Sequence, residues 1–256
     1  MTNNLMESLT VGWDVPKGLS VLVGPNGGGK SHLLSQSLKE NRQLNRYSDY
    51  RLAEAKAGSV FSPDELRLCP NGVNLYTVLM NWQETELDGL SPFHEAIRRC
   101  FPYFHDSEFT LDTGIYASGS WRRAPDLESF SLEEAPASLL VAMMHLCAVK
   151  MASHGQVIAL DPFEYNLHPK VIQELLVELE EEADHKDLSV VLVTYSPMVL
   201  NYFDSQPERV FIVDQRQWKA PKPLLELRTR EWLAYFRLGD KFIEGDFGGS
   251  TLEEVE

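Results

Sequence analysis

Short apolar runs alternate with amphipathic stretches along most of the chain, and this pattern predicts strands that alternate with helices. The predicted buried strands are residues 19–23, 157–160, 189–194 and 209–213. The predicted helices are residues 31–45, 133–153, 170–182 and 197–203, of which 133–153 is apolar on nearly every face. Such an alternation favours an α/β fold with a mostly parallel sheet and helical crossovers.

The beginning and the middle of the chain carry different patterns. Two apolar runs, residues 9–15 and 19–23, are separated by Pro16-Lys17-Gly18, which predicts an antiparallel strand pair around a turn. In the middle, helices are predicted at 74–84 and 91–100, followed by short strands and turns, within a helical or irregular insert over about 62–130. Because no repeat or linker interrupts the chain, we expect a single domain over residues 1–245 and an acidic flexible tail over 246–256.

A glycine-rich loop lies between the run 19–23 and the helix predicted after it. Its residues, Gly24, Pro25, Asn26, Gly27, Gly28, Gly29, Lys30 and Ser31, match the P-loop pattern G-x-x-x-x-G-K-S/T in full. Glycines let backbone N–H groups wrap around phosphate, and a helix N-terminus favours the same negative charge. Lys30 would meet the β- and γ-phosphates and the Ser31 hydroxyl would hold Mg²⁺, so the loop predicts binding of ATP with magnesium.

A carboxylate ends the second buried strand. The run 157–160 is followed by Asp161, and an acid at the carboxyl end of a parallel strand is placed to complete a magnesium site. The next residue is Pro162 rather than a glutamate that could orient an attacking water. Asp161 is therefore predicted to join Ser31 as a metal ligand, and Glu164 is the candidate catalytic carboxylate.

Three segments resemble one family. Residues 161–169, D-P-F-E-Y-N-L-H-P, are similar to the D-E-P-E-N-x-L-H-P stretch of ABC-like AAA ATPases of the SMC, RecF and OLD-related group, which includes small ATPases of anti-phage defence. Residues 194–197, T-Y-S-P, resemble that group's T-H-S-P switch motif, and residues 72–75, G-V-N-L, resemble the segment before its helical insert. The resemblance covers most of residues 18–214. It implies a P-loop NTPase fold of the ABC-type ATPase head, with a mostly parallel sheet, an antiparallel N-terminal strand pair and a helical insert.

The chain departs from the family pattern at three places that act on the γ-phosphate. Pro162 stands where the family has its catalytic glutamate, and Tyr195 stands at the switch position in place of histidine. The segment 131–138, S-L-E-E-A-P-A-S, lacks the glycine of the signature motif that family members present to a neighbouring subunit, and Pro136 removes a backbone donor. The resemblance therefore implies ATP binding with weak or partner-dependent hydrolysis, and leaves open whether the chain is an active ATPase.

The net charge, the apolar runs and the cysteines of the chain indicate which partners and which cellular compartment to expect. The 256 residues include 23 basic and 38 acidic side chains, a net charge of −15, which disfavours direct binding of nucleic acid. No apolar run reaches the length of a membrane span, and the first residues lack the pattern of a secretion signal. Cys69, Cys100 and Cys147 lie far apart without metal-ligand spacing, so we expect a cytoplasmic chain without disulfides.

The leading hypothesis is an ATP-binding, ABC-like subunit of a multiprotein assembly in bacterial anti-phage defence, with a different protein, such as a nuclease or another effector, as its partner. The alternative is a catalytically active homodimer of the same fold in DNA repair or DNA metabolism. A P-loop kinase of a small metabolite is disfavoured because Asp161 lies about 130 residues after Lys30. An OLD-type nuclease within this chain is disfavoured because only about forty residues follow Val213.

Overall fold

The computed structural model describes residues 13, 15–40, 44–85, 88–214 and 220–247. The strands in this part of the chain are β1 (Gly18–Val23), β2 (Leu44–Ser48), β3 (Ser59–Val60), β4 (Phe104–Asp112), β5 (Tyr116–Arg123), β6 (Glu128–Ser131), β7 (Val157–Asp161), β8 (Ser189–Val193), β9 (Val210–Ile212) and β10 (Lys222–Pro223). The α-helices are α1 (Lys30–Glu40), α2 (Leu52–Lys56), α3 (Leu75–Thr85), α4 (Ser91–Cys100), α5 (Ala137–Lys150), α6 (Pro169–His185), α7 (Pro197–Tyr202), α8 (Leu224–Leu227), α9 (Arg230–Leu233) and α10 (Leu238–Ile243). Short 3-10 helices span Leu132–Glu134 and Pro207–Arg209.

A six-stranded sheet carries the glycine-rich loop and the acidic strand end. Its order is β10-β9-β1-β8-β7-β2. The pairings from β9 to β2 are all parallel, and β10 alone among the described strands of this sheet runs antiparallel to its neighbour. The predicted α/β architecture with a mostly parallel sheet is therefore confirmed.

Side-chain alternation along the central strands explains the layers. In β8, Val190 and Leu192 belong to a large apolar core with α5 and α6, whereas Val191 and Val193 pack on the opposite face with Leu33 of α1. All four valine and leucine side chains are fully buried. A strand that is apolar on both faces requires helices on both sides, and α1, α5 and α6 supply them.

The N-terminal strand pair is not found among the described residues. β1 lies between β8 and β9, which are both parallel to it. Most of the predicted first strand, residues 9–12 and 14, lies outside the described residues, and neither Trp13 nor Val15 is in a strand. Trp13 instead packs its ring against Phe211 of β9, with centroids 5.5 Å apart.

The middle of the chain is not a purely helical insert. The two predicted helices are present as α3 and α4, but β3, β4, β5 and β6 then form a second, antiparallel sheet. Phe104 and Phe109 of β4 and Trp121 of β5 are buried, so this sheet has a core-facing side. Strands after α4 were predicted, but β4 and β5 are longer than expected, at nine and eight residues, because they pair with each other along their length.

Two further boundaries differ from the predictions. The helix predicted over residues 31–45 ends earlier, because residues 44–48 form β2 and pair with β7. The first two residues of the predicted tail are packed on the fold, since Phe247 is buried and the Asp246 carbonyl accepts a hydrogen bond from Arg228 at 3.1 Å. Residues 248–256 lie outside the described part. None of the described helices combines the length and apolar content that crossing a bilayer requires.

Candidate functional site

The glycine-rich loop connects β1 to α1. Gly24 follows β1 directly, and a Cβ at this position would lie only 2.0 Å from the carbonyl oxygen of Val213, so only glycine fits. Gly29 has a φ of 91°, in the left-handed region that favours glycine, immediately before α1 begins. The Leu33 N–H donates to the Gly29 carbonyl at 2.8 Å. The chain therefore turns tightly from strand into helix, with the helix N-terminus at the loop.

The outer turn of the loop is open to solvent. Asn26 and Gly27 are exposed at its tip, whereas Pro25 and Gly28 are buried beneath them. The Gly28 N–H donates to the Pro25 carbonyl at 3.0 Å and closes the turn. A ligand can therefore approach the loop from the side of Asn26 and Gly27.

Lys30 is buried against its own loop, with 3% of its surface exposed. Its ammonium donates to the carbonyl oxygens of Gly24 at 2.8 Å and of Pro25 at 3.0 Å. Burial lowers the pKa of Lys30 to about 8, although the carboxylates of Asp161 and Glu164 favour the charged form. An anion at the loop would offset the cost of this buried positive charge.

Ser31 and Asp161, the two predicted metal ligands, are in direct contact. Asp161 is the last residue of β7 and is 7% exposed. The Ser31 hydroxyl donates to Asp161 Oδ2 at 2.9 Å. Among the described residues, no group of three or more His, Cys, Asp or Glu side chains could hold a metal by itself. The two oxygens nevertheless suit Mg²⁺, which commonly takes one carboxylate together with phosphate oxygens and water.

Arg46 is a member of this site that the sequence analysis missed. It lies on β2, next to β7 in the sheet, and donates to Asp161 Oδ2 from Nε at 3.1 Å and from Nη2 at 2.6 Å. Its remaining nitrogen, Nη1, donates to Ser35 Oγ of α1 at 3.1 Å. The residue was hidden because residues 44 and 45 were assigned to a helix. If residues 44–48 had been recognised as a strand paired with β7, Arg46 would have been placed near Asp161.

Glu164 and Tyr195 meet at the edge of the same site. Glu164 Oε1 accepts a hydrogen bond from the Tyr195 N–H at 2.9 Å, and Glu164 Oε2 is buried with no hydrogen-bond partner among the described residues. The Lys30 ammonium lies 4.1 Å from the centroid of the Tyr195 ring, close enough for a cation–π interaction. The structure therefore brings both candidate catalytic residues beside the loop lysine, but one Glu164 oxygen is engaged by backbone.

His145 fixes the segment that carries Asp161 and Glu164. It is fully buried on α5, and its Nε2 lies 2.9 Å from the Phe163 carbonyl oxygen. A carbonyl only accepts, so Nε2 donates and Nδ1 accepts from the Tyr50 hydroxyl at 3.1 Å. Burial lowers the pKa of His145 to about 4, which keeps the ring neutral and this pair of hydrogen bonds intact at neutral pH.

The segment 131–138 lies where β6 leads into α5. Its two acids, Glu133 and Glu134, are exposed, and Pro136 caps the start of α5. The Ala135 carbonyl accepts a hydrogen bond from Lys56 at 2.7 Å, which ties the segment to α2. This exposed face is acidic and carries no glycine.

His168 is the N-cap residue of α6. Its Nδ1 accepts from the Lys170 N–H at 3.2 Å, and Pro169 occupies the first position of α6. It is thus a capping residue and makes no described contact with the loop.

Comparison with known proteins gives no further assignment. No protein-family model matches the chain, and no curated protein matches it. The site is therefore defined by its own geometry: a buried lysine in a glycine-rich loop, a serine at the start of the next helix, and an aspartate that ends a strand two places away in the sheet and also binds an arginine.

Proposed function

We propose that this chain is an ATP-binding subunit with a P-loop NTPase fold of the ABC-like type, and that it hydrolyses ATP slowly or only with a partner. One observation carries the proposal: Lys30 and the Ser31–Asp161 pair converge from two different strand ends on one glycine-rich loop. Within the described chain the Lys30 ammonium donates its hydrogen bonds to two carbonyls of its own loop, whereas the carboxylates of Asp161 and Glu164 attract it without such a bond. A polyphosphate would supply a directly bonded negative charge.

Different residues of the site would bind the phosphates and the metal. The loop N–H groups and the N-terminus of α1 would meet phosphate oxygens, and Lys30 would turn from the Gly24 and Pro25 carbonyls toward them. Ser31 and Asp161 would hold Mg²⁺, which when bound neutralises phosphate charge. The position of β1 beside β8, with β7 next along the sheet, supports this reading because it puts loop and acid at the same sheet edge.

The same site lacks a well-placed catalytic base for ATP hydrolysis. The residue after Asp161 is a proline, and the nearest alternative, Glu164, uses one oxygen to accept the Tyr195 N–H. Loss of a positioned base costs about 10² to 10⁴ in rate. Slow turnover follows, whereas binding through the loop is unaffected.

The role in an assembly rests on the resemblance alone. Family members of this type close their sites with a signature segment from another subunit, and residues 131–138 do not match it. We therefore propose a different protein as the partner, in a cytoplasmic assembly of bacterial anti-phage defence, with no direct contact between this chain and nucleic acid.

Thermal unfolding with and without ATP and Mg²⁺ tests the proposed ligand. At a ligand concentration about 100 times Kd, the gain is about 2.7 kcal/mol, or about 5 °C or more in Tm for a chain of this size. Lys30→Ala should abolish the shift. Lys170→Ala is the matched control, since Lys170 is an exposed lysine that pairs with Glu174 on α6. An equal shift in wild type and Lys30→Ala would overturn the assignment.

A further inference from the structure

The Asp161 carboxylate already has a cation on the oxygen that faces Ser31. Oδ2 accepts from Ser31 Oγ at 2.9 Å and from Arg46 Nε and Nη2 at 3.1 Å and 2.6 Å. Both side chains are largely buried, 6% exposed for Asp161 and 17% for Arg46. Three donors on one carboxylate oxygen leave little room for another cation at the same atom.

Arg46 is held in this position by more than one contact. Its third nitrogen donates to Ser35 Oγ at 3.1 Å, and Ser35 Oγ in turn donates to the Ser31 carbonyl at 2.8 Å. Ser31, Asp161, Arg46 and Ser35 therefore form a closed ring of hydrogen bonds across α1, β7 and β2. A planar guanidinium that uses all three nitrogens in fixed directions is preorganised, unlike a surface arginine.

The charge balance of the site follows from this ring. Lys30 and Arg46 are the cations and Asp161 and Glu164 the carboxylates, so the site is close to neutral before any ligand arrives. A divalent cation at Ser31 and Asp161 would stand beside the Arg46 guanidinium. Repulsion between these like charges in a largely buried site opposes their joint occupancy.

We propose that Arg46 is a resident cation of Asp161 that competes with Mg²⁺, so that ATP binds this chain with little dependence on magnesium. The inference rests on the ATP-binding part of the proposed function and qualifies its metal part, since Mg²⁺ would reach Ser31 and Asp161 only by displacing Arg46. In this arrangement Lys30 meets the triphosphate while Arg46 stays on Asp161, and Mg²⁺ brings little net gain because it must displace Arg46 from that carboxylate.

Calorimetric titration of ATP in Mg²⁺ and in EDTA tests the inference. In the wild type, Kd should differ between the two conditions by no more than about threefold, that is by less than about 0.7 kcal/mol. In Arg46→Gln, Asp161 is released, and Mg²⁺ should tighten ATP binding by about tenfold or more. Arg51→Gln is the matched control, because Arg51 lies just beyond the same strand and pairs with Glu54 in solvent. It should behave as the wild type.

The outcomes separate this inference from the proposed function. No ATP binding by the wild type in either condition overturns both. A second outcome overturns the role of Arg46 alone: the wild type binds ATP and Lys30→Ala does not, but Mg²⁺ lowers the wild-type Kd by more than about threefold. Unchanged magnesium independence in a folded Arg46→Gln also overturns it. If Arg46→Gln does not fold, the wild-type comparison still decides, and Arg46→Lys, which keeps the charge but not the planar fork, should show intermediate dependence.

Discussion

At the scale of single residues, burial of the Lys30 ammonium has an electrostatic cost. Its ammonium is buried, donates to two loop carbonyls and is covered by the Tyr195 ring. Burial brings its pKa down to about 8, whereas an exposed lysine titrates near 10.5. The charge that a phosphate would need is therefore lost at a lower pH than the charge of an ordinary lysine.

ATP binding should weaken with pH because of this residue. If only the charged lysine binds ATP, affinity should fall by about tenfold for each pH unit above 8 and should change little below pH 8. Above pH 8 the free protein has lost the Lys30 proton, which it must take up again to form the complex. Titrations of ATP from about pH 7 to about pH 9.5 measure this. Lys30→Arg, which stays charged, should flatten the profile. A flat wild-type profile would show that Lys30 does not contact the ligand.

Hydrolysis is the second property set by single residues. The purified chain should release phosphate from ATP very slowly, and Pro162→Glu should raise the rate by less than about tenfold, because a base is only one of the missing contributions. Asp161→Ala provides the background rate. A robust steady-state rate in the wild type that disappears in Asp161→Ala would mean that Glu164, or another group, serves as an effective base.

At the scale of elements, the buried helix α5 does two things. It fills the core beneath the main sheet, and through His145 it holds the Phe163 carbonyl between Asp161 and Glu164. The neutral histidine is required for both of its hydrogen bonds. The position of the acidic strand end thus depends on the protonation state of a group that solvent does not reach.

Acid should therefore destabilise the fold in a defined range. The pKa of His145 is about 4 in the folded chain and near 6.5 when unfolded, so the unfolded chain binds more protons between these values and stability falls as pH falls through this range. From about pH 6.5 to about pH 5 we expect a loss of about 1 to 2 kcal/mol from this residue.

Urea unfolding at the two pH values measures that loss. His145→Gln should reduce it, and His94, whose pKa burial also lowers to about 4, should account for part of the remainder. His154→Gln is the control, because His154 is exposed. A pH dependence identical in wild type and a folded His145→Gln would contradict the prediction.

Elements with a complete local pattern could be predicted from the sequence, and elements that depend on a distant partner could not. The strands β1, β7 and β8 are apolar on both faces, so each run identifies its own strand. β2 has only a short mixed pattern and is a strand because β7 pairs with it. Arg46 was missed for the same reason, since its partner Asp161 lies 115 residues away in sequence.

At the scale of the whole molecule, charge governs association. The chain carries a net charge of −15, and the segment 131–138 exposes Glu133 and Glu134. If the proposed ABC-like function holds, this is the segment that would meet a neighbour's nucleotide. Closing two copies over two triphosphates would bring acids toward phosphates. This should cost on the order of a kcal/mol or more once water is excluded.

The isolated chain should therefore remain monomeric with or without ATP. Size-exclusion chromatography with light scattering measures the mass in both conditions. A double variant, Glu133→Gln with Glu134→Gln, serves as the control for charge, and dimerisation of this variant alone would identify the two acids as the barrier. A compact wild-type homodimer that appears only with ATP, bridged through residues 131–138, would refute the prediction and favour the homodimeric alternative.

The position of β2 has a consequence for backbone protection. Within the described chain β2 is the last strand of the main sheet and pairs as a strand with β7 alone, although the Ser48 N–H at its end donates to the Pro70 carbonyl at 2.9 Å. Edge strands of this kind usually exchange their amide hydrogens early. Arg46 anchors this strand from its middle to Asp161 and Ser35. The deuterium uptake of residues 44–48 therefore reports whether Arg46 is bound to Asp161. Exchange should be slow while the Arg46–Asp161 hydrogen bonds are formed and fast when they are broken.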